Sequence, residues 1–275
     1  MKLGMPTLIE HKSLEPNLRL CKDLNLEFIE LNMNLPIYTP EYLHHQEILD
    51  MKREHGIDFT IHLPEEIDLS SFHPSMRNGH LERCIETIDW AAKSQIKTIN
   101  MHLNKGIYFT LPHTRVWINE QYESEFQSAL YESYRYLYKY TKPLGVELCI
   151  ENTANFHIPF ISKSLEKLSE FKNFYLTWDV GHDAVANFNE EPYFNRFSDR
   201  IKHMHLHDYN GKSDHQPVYT GVVPINKRLQ FAQAHHLTVV VEVKTSTSLI
   251  ESVEAIRCNF YKNRGNYINR ENIMD

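Results

Sequence analysis

The sequence lacks most of the features that would assign a function class unaided. No apolar stretch approaches the roughly 20 residues needed to cross a bilayer. The opening MKLGMPTLIEHKSL has no long apolar run of the signal-peptide kind, so a cytoplasmic setting without a membrane partner is expected. Cys21, Cys84, Cys149 and Cys258 are far apart and none forms a CxxC pair. Neither a disulfide framework nor a Cys-based zinc site is therefore expected. There is no Gly-rich phosphate loop, no Gly/Ser/Pro-rich linker and no run of Lys and Arg. With 29 basic against 36 acidic residues the formal net charge is -7, which argues against nucleic acid as the partner. What remains is 275 residues of ordinary apolar content, 41% hydrophobic, enough to bury a sizeable core.

Histidine is what the chain has in quantity, 17 in all, unevenly placed. In IKHMHLHDYNGKSDH (201–215) the opening reads as a strand. Its period of two puts His203, His205 and His207 on one face and Met204 and Leu206 on the other. An imidazole face needs partners for every ring nitrogen, and metals and carboxylates are the usual ones. A polar strand without chemistry is the bland alternative. Asp208, Asp214 and His215, following directly, weigh against it.

Short runs rich in β-branched and aromatic residues alternate with longer segments of helical period along the whole chain. Strands are expected near Leu3–Ile9, Phe28–Asn32, Asp58–Leu63, Thr98–Leu103, Val146–Glu151, Tyr175–Asp179, Ile201–Leu206 and Thr238–Val243. Helices are expected at Pro16–Leu24, Pro40–His55, Pro74–Lys93, Glu120–Tyr140, Ser164–Phe171, Glu191–Arg200, Asn226–His235 and Leu249–Tyr261. Eight βα units predict an α/β fold, a single (β/α)8 TIM barrel over residues 1–275, with a doubly wound open sheet as the alternative. The polar end NRGNYINRENIMD (263–275) reads as a segment that frays or meets a partner subunit.

A barrel places its active site at the carboxyl ends of the strands. Those ends read His62 after FTI, His102 after INM, Glu151 after LCI, Asp179 after LTW, His205 after KHM and Glu242 after VVV. Six metal-ligand types closing six successive apolar runs are hard to assign to chance. Glu151, Asp179, His205 and Glu242 form a mixed O and N donor set suited to a catalytic divalent ion, Mn, Mg, Co or Zn, with no organic cofactor. His62, His102, His182, Asp214 and His215 are either further ligands or groups that meet substrate. In Asp179-Val180-Gly181-His182 the glycine lets the chain turn so that acid and imidazole both face the mouth. Asn152 either donates to a ligand or substrate oxygen or caps the segment that follows.

The series IHLP, NMHLNKG, CIENTA, WDVGH, MHLHD and VVVEVK, in that order, resembles the xylose isomerase-like TIM-barrel superfamily, which includes sugar isomerases and epimerases and the family 2 apurinic endonucleases. The resemblance implies that Glu151, Asp179, His205 and Glu242 bind one divalent ion while the two glutamates flank a carbohydrate substrate as acid and base. In the endonuclease branch the positions of His62, His102, His182, Asp214 and His215 join them to hold three zinc ions. A homodimer is the family-level expectation. The chain departs from the pattern in SDHQPVYTG (213–221). Tyr219 stands where a glycine is expected, and Asp214 and His215 are adjacent rather than one residue apart.

Two chemistries follow from this reading. In an isomerase or epimerase, Glu151 and Glu242 remove and return a carbon-bound proton while the metal stabilises the enediolate. His62, His102, Lys105, Asn152 and His182 then contact substrate, and the loop from Lys105 to Trp117 either closes over it or packs on the rim. His207, assigned to the substrate side at most, is expected to tolerate replacement better than the glutamates. In the alternative, an apurinic endonuclease-like phosphodiester hydrolase, clustered zinc ions generate hydroxide and clamp a phosphate. A barrel that binds without catalysing is a third reading, against which the intact strand ends count.

Overall fold

The computed structural model describes residues 1–262, so the polar end 263–275 lies outside the described residues. Strands β1 (Lys2–Pro6), β2 (Phe28–Asn32), β3 (Asp58–His62) and β4 (Thr98–His102) come first in the chain. A short hairpin of β5 (Tyr108–Thr110) and β6 (Arg115–Trp117) follows. The chain then supplies β7 (Glu147–Glu151), β8 (Tyr175–Asp179), β9 (Ile201–Leu206) and β10 (Thr238–Val241). All but the hairpin pair in parallel and close into a barrel in the order β1-β10-β9-β8-β7-β4-β3-β2. The expected closed eight-stranded barrel is therefore the fold, and the open sheet is excluded.

The helices are α1 (Leu14–Asp23), α2 (His45–His55), α3 (Pro74–Lys93), α4 (Ile118–Gln121), α5 (Glu123–Leu144), α6 (Pro159–Leu168), α7 (Val180–Val185), α8 (Glu191–Arg196), α9 (Ile225–Ala234) and α10 (Ser246–Ile256). Local chemistry explains several boundaries. Pro74, Pro159 and Pro192 lie in first turns, where the missing N–H costs nothing. The carboxylate of Asp179 accepts the N–H of His182 at 2.7 Å and starts α7, and Thr245 caps α10 through Ser248. Gly56, at φ +67°, and Gly145, at φ +69°, end α2 and α5 in the left-handed region. Several expected boundaries shift, among them the start of α2, at His45 rather than Pro40, and the ends of α8 and β10, at Arg196 and Val241 rather than Arg200 and Val243. The first strand ends at Pro6 rather than Ile9, α6 starts at Pro159 rather than Ser164, and the long helix breaks at Tyr122, φ -116° and ψ 50°.

The two faces of the barrel strands differ in character. The outward face is apolar and lies buried under the helices, with Ile99, Ile150, Trp178, Met204 and Val239 among the residues that form the core. Trp178 stacks on Phe194 at 4.9 Å and under the guanidinium of Arg228 at 4.3 Å. Replacing a tryptophan so packed by alanine costs about 3–5 kcal/mol. The inward face is polar over much of its height: Glu30, Thr60, Asn100, Glu151, Asp179, His203 and His205 are all buried. Barrel lumens are ordinarily filled by Val, Ile and Leu. Here the register sets Asp179 beside His205, His205 beside Val240, and His102 beside Glu151, which gathers the strand-end groups at one mouth.

Candidate metal centre

His205 is the hub of the mouth. From β9 its Nδ1 lies 3.0 Å from Glu151 Oε1, 3.0 Å from Glu242 Oε2 and 3.9 Å from Asp179 Oδ2. These carboxylates come from the ends of β7 and β8 and from the residue just past β10, where the Glu242 N–H still bonds to Leu206 O at 3.0 Å. The four expected residues thus meet, their ligand atoms within 4.8 Å of one another. On its far side His205 Nε2 lies 2.9 Å from Glu30 Oε1.

Asp179 is held from several directions. Its carboxylate caps α7 and meets His207 Nε2 at 3.0 Å. His207 Nδ1 accepts the His215 N–H at 2.9 Å, so the proton of a neutral His207 sits on Nε2, facing Asp179. Gly181 is required by this packing: a Cβ there would stand 1.9 Å from the His207 ring. Asn152 accepts the Asp179 N–H at 2.7 Å and donates to Asp179 O at 2.9 Å and to Glu190 Oε2 at 2.7 Å. Asn152 is fully buried with its amide spent. This geometry favours neither a substrate contact nor a simple turn cap; Asn152 instead clamps the backbone that carries Asp179.

The outer imidazoles surround Glu151 and the rim. His62 Nε2 and His102 Nε2 lie 3.4 and 3.5 Å from Glu151 Oε2, to which Asn100 also donates. His62 Nδ1 donates to Leu63 O at 2.7 Å, leaving Nε2 for the centre. His182 Nδ1 donates to Asn152 O at 3.1 Å, and its Nε2 lies 3.7 Å from Asp214 Oδ2. Asp214 and His215, although adjacent, both reach the mouth because His215 adopts φ +53°. Its ring stacks on His207 at 4.2 Å, its Nδ1 lies 3.1 Å from Asp214, and its Nε2 lies 3.3 Å from Glu242. Tyr219 keeps the left-handed turn expected of a glycine, at φ +67°.

Lys105 stands apart from this cluster. Its ammonium lies 3.9 Å over the ring of Trp117, at the base of the hairpin. The loop expected between Lys105 and Trp117 contains that hairpin, with Tyr108 against Trp117 at 4.9 Å and Phe109 exposed.

Charge at the mouth is balanced by proximity. Burial alone would push the Glu151 carboxyl up, but His205 and His102 hold it well below its ordinary range. Burial likewise opposes ionisation of Glu242, and Lys244, 2.8 Å away, together with His205 reverses that. For His62 burial disfavours the cation, yet Glu151 lifts it to about 9. His182 is also lifted to about 9, by Asp179 and Glu151 against burial. His102, by contrast, is held down by burial.

The donor set fits a divalent ion. The buried Glu151 and Asp179 and the part-buried Glu242, with ligand atoms within 4.8 Å, repel one another by on the order of 3 kcal/mol per pair at an effective dielectric near 20. A cation at their meeting point converts that repulsion into binding, and hard oxygen donors with one imidazole suit it.

Three residues of this site were not expected from sequence. Glu30 lies mid-strand in FIELN, but its alternation with Phe28 and Asn32 on the inward face was a usable signal. Lys244 lies two residues beyond Glu242 in the connection after β10, and its ammonium reaches the Glu242 carboxylate at 2.8 Å. Glu190, which accepts the Phe156 N–H as well as Asn152, lies in a connection without any motif.

A family model described as xylose isomerase-like TIM barrel matches residues 18–258. The chain belongs to that family. An uncharacterized protein of Methanocaldococcus jannaschii is 27% identical over 225 residues, 78% of this chain and 80% of that protein. Among solved structures, a D-tagatose 3-epimerase-like protein superposes with TM-score 0.77 at 19% identity, covering 98% of this chain and 99% of the other. The IOLI protein with a zinc atom gives TM-score 0.70 at 15% identity, covering 94% of each chain.

Proposed function

We propose that this chain is a divalent-metal-dependent epimerase or isomerase of a small polyhydroxy carbonyl compound, a sugar or sugar-like polyol. The observation that carries the reading is the convergence of Glu151 and Glu242, each 3.0 Å from the same nitrogen of His205. They arrive from β7 and from beyond β10, strands separated in the barrel by β8 and β9. Two carboxylates so disposed can flank one substrate carbon. One takes the proton from the carbon beside the carbonyl, and the other supplies a proton from its own side.

Glu151, Asp179, His205 and Glu242 would hold the ion. When bound, it polarises the carbonyl and offsets the charge that develops on oxygen. His62 and His182 would meet hydroxyls at the mouth through Nε2, their Nδ1 atoms being spent on Leu63 O and Asn152 O, and His102 would accept or donate according to its tautomer. The aromatic hairpin stands on the same side as these groups, where it would exclude water from the substrate. The names of the neighbours, one epimerase-like and one carrying zinc, support the substrate class and the ion.

Incubation of metal-loaded protein with a panel of ketoses and inososes in D2O tests the proposal. Deuterium should enter the carbon beside the carbonyl of at least one substrate, and Asp179→Asn should prevent it. A panel with no exchange under any metal would contradict the reading.

A second reading, the zinc phosphodiesterase, draws on two further ligand groupings, His62 with Glu151 and His205, and His182 with His207 and His215. The net charge of -7 weighs against it. Cleavage of abasic-site DNA by zinc-loaded protein would favour it.

A further inference from the structure

We propose that Glu30 is a positioning residue that fixes which nitrogen of His205 faces the metal centre. The inference rests on the reading of His205 as a ligand and extends it one layer into the barrel.

Glu30 is a carboxylate in the middle of β2, 2% exposed, in a layer that barrels ordinarily fill with branched apolar side chains. An acid buried there costs several kcal/mol unless it is fully paired. It is paired on both oxygens. Oε1 lies 2.9 Å from His205 Nε2, and Oε2 lies 2.9 Å from His203 Nε2 while accepting the Thr60 hydroxyl at 3.1 Å. His203 is itself held from below, its Nδ1 2.6 Å from the Thr238 hydroxyl. A continuous polar column thus rises through the lumen, from Thr238 through His203, Glu30 and His205 to Glu151 and Glu242.

The column has a chemical consequence at its top. An imidazole nitrogen that carries a proton cannot ligate, and a neutral ring carries one proton that can sit on either nitrogen. An ion where Glu151 and Glu242 meet would displace the proton from Nδ1, which faces those two carboxylates at 3.0 Å, and the Glu30 carboxylate, in ion-pair contact with Nε2 at 2.9 Å, favours keeping the remaining proton there. A partner anion behind the ring also makes Nδ1 the stronger donor. His203 and Thr60 keep the carboxylate from swinging away. Glutamine at position 30 would still offer an oxygen to the His205 N–H, whereas alanine would free the ring to rotate or change tautomer.

The test is titration of chelator-stripped wild type, Glu30→Gln, Glu30→Ala and His203→Gln with cobalt(II), following visible absorption, with circular dichroism as the folding control. Wild type should bind cobalt. Glu30→Ala should bind about 10- to 100-fold more weakly with an altered spectrum. Glu30→Gln should keep the wild-type spectrum with a smaller loss. If Glu30→Ala does not fold, a weakened affinity in His203→Gln, where the grip on the carboxylate is lost, carries the same expectation. Folded Glu30→Ala with wild-type affinity and spectrum would overturn the inference while leaving the metal centre standing. The inference would also fall if Glu30→Ala lost one equivalent of metal and left the remaining affinity unchanged, for Glu30 would then be a ligand. A wild-type protein that binds no cobalt would overturn both this inference and the function proposed above.

Discussion

His207 presents Nε2 to both oxygens of Asp179 at 3.0 Å, in a contact from which solvent is excluded on both sides. That places His207 against a candidate metal ligand rather than out among the substrate contacts expected for it. Removing it leaves a buried carboxylate short of a partner and opens a void beside Gly181. His207→Ala should therefore destabilise the protein, by on the order of 3 kcal/mol for a broken buried pair. Denaturant unfolding of chelator-treated protein measures it. A change below about 1 kcal/mol, the range of an exposed pair, would show that the contact is dispensable.

The same crowding gives a signed pH dependence. His62 and His182 are raised to about 9 in the folded chain, so they bind protons more tightly folded than unfolded. Their stabilisation is complete below about pH 6.5 and is lost as pH rises through about 9. Glu151 and Glu242 are depressed, so theirs is complete above about pH 4.5 and is lost on acidification. Chelator-treated protein should melt highest between about pH 4.5 and 6.5 and progressively lower toward about pH 9. A divalent ion competes with these protons, so its stabilising effect should grow over the same rise. Melting temperatures level from about pH 6 to 9 would refute the assignment of charge to the two imidazoles.

Glu151→Gln and Glu242→Gln should each abolish turnover, by at least about 100-fold, because each removes a ligand and a proton-transfer group together. The fold should survive, since the amide fills the same volume. Either variant working near the wild-type rate would eliminate the two-carboxylate mechanism.

Asn152 makes a different prediction. Asn152→Ala strands the Asp179 N–H and carbonyl and one oxygen of Glu190, all buried. The expected loss is about 2–3 kcal/mol of stability together with weakened metal affinity. A residue that met substrate alone would instead raise KM and leave both quantities unchanged, so isothermal titration and unfolding separate the two roles.

The strands and the strand-end ligands were legible because both depend on local pattern. The helix-covered face of each parallel strand is apolar, and Glu151, Asp179 and His205 stand at or near the carboxyl ends of such strands. The hairpin Tyr108–Trp117 was not legible. Its strands of three residues carry no core-facing alternation, and its turn at Leu111–Thr114 is built without glycine. Helix α7 was missed because it spans only six residues and starts on the ligand Asp179 itself. Glu30, and the clamp that Asn152, a named candidate, makes on Asp179, escaped for another reason. Their roles are set by contacts with residues 173 and 27 positions away, Glu30 with His203 and Asn152 with Asp179, and no window along the chain contains both partners. Asp214 and His215 depart from the family pattern by being adjacent, and a left-handed backbone at His215 still brings both to the mouth.

The central claim is a single divalent ion held by Glu151, Asp179, His205 and Glu242. Elemental analysis of protein purified without added metal or chelator tests it most directly, beside Asp179→Ala prepared in the same way. The account predicts about one Mn, Mg, Co or Zn per wild-type chain and a large loss in the variant. Absence of metal from wild type would contradict the centre, and about three zinc ions per chain would contradict the mononuclear sugar chemistry in favour of the phosphodiesterase.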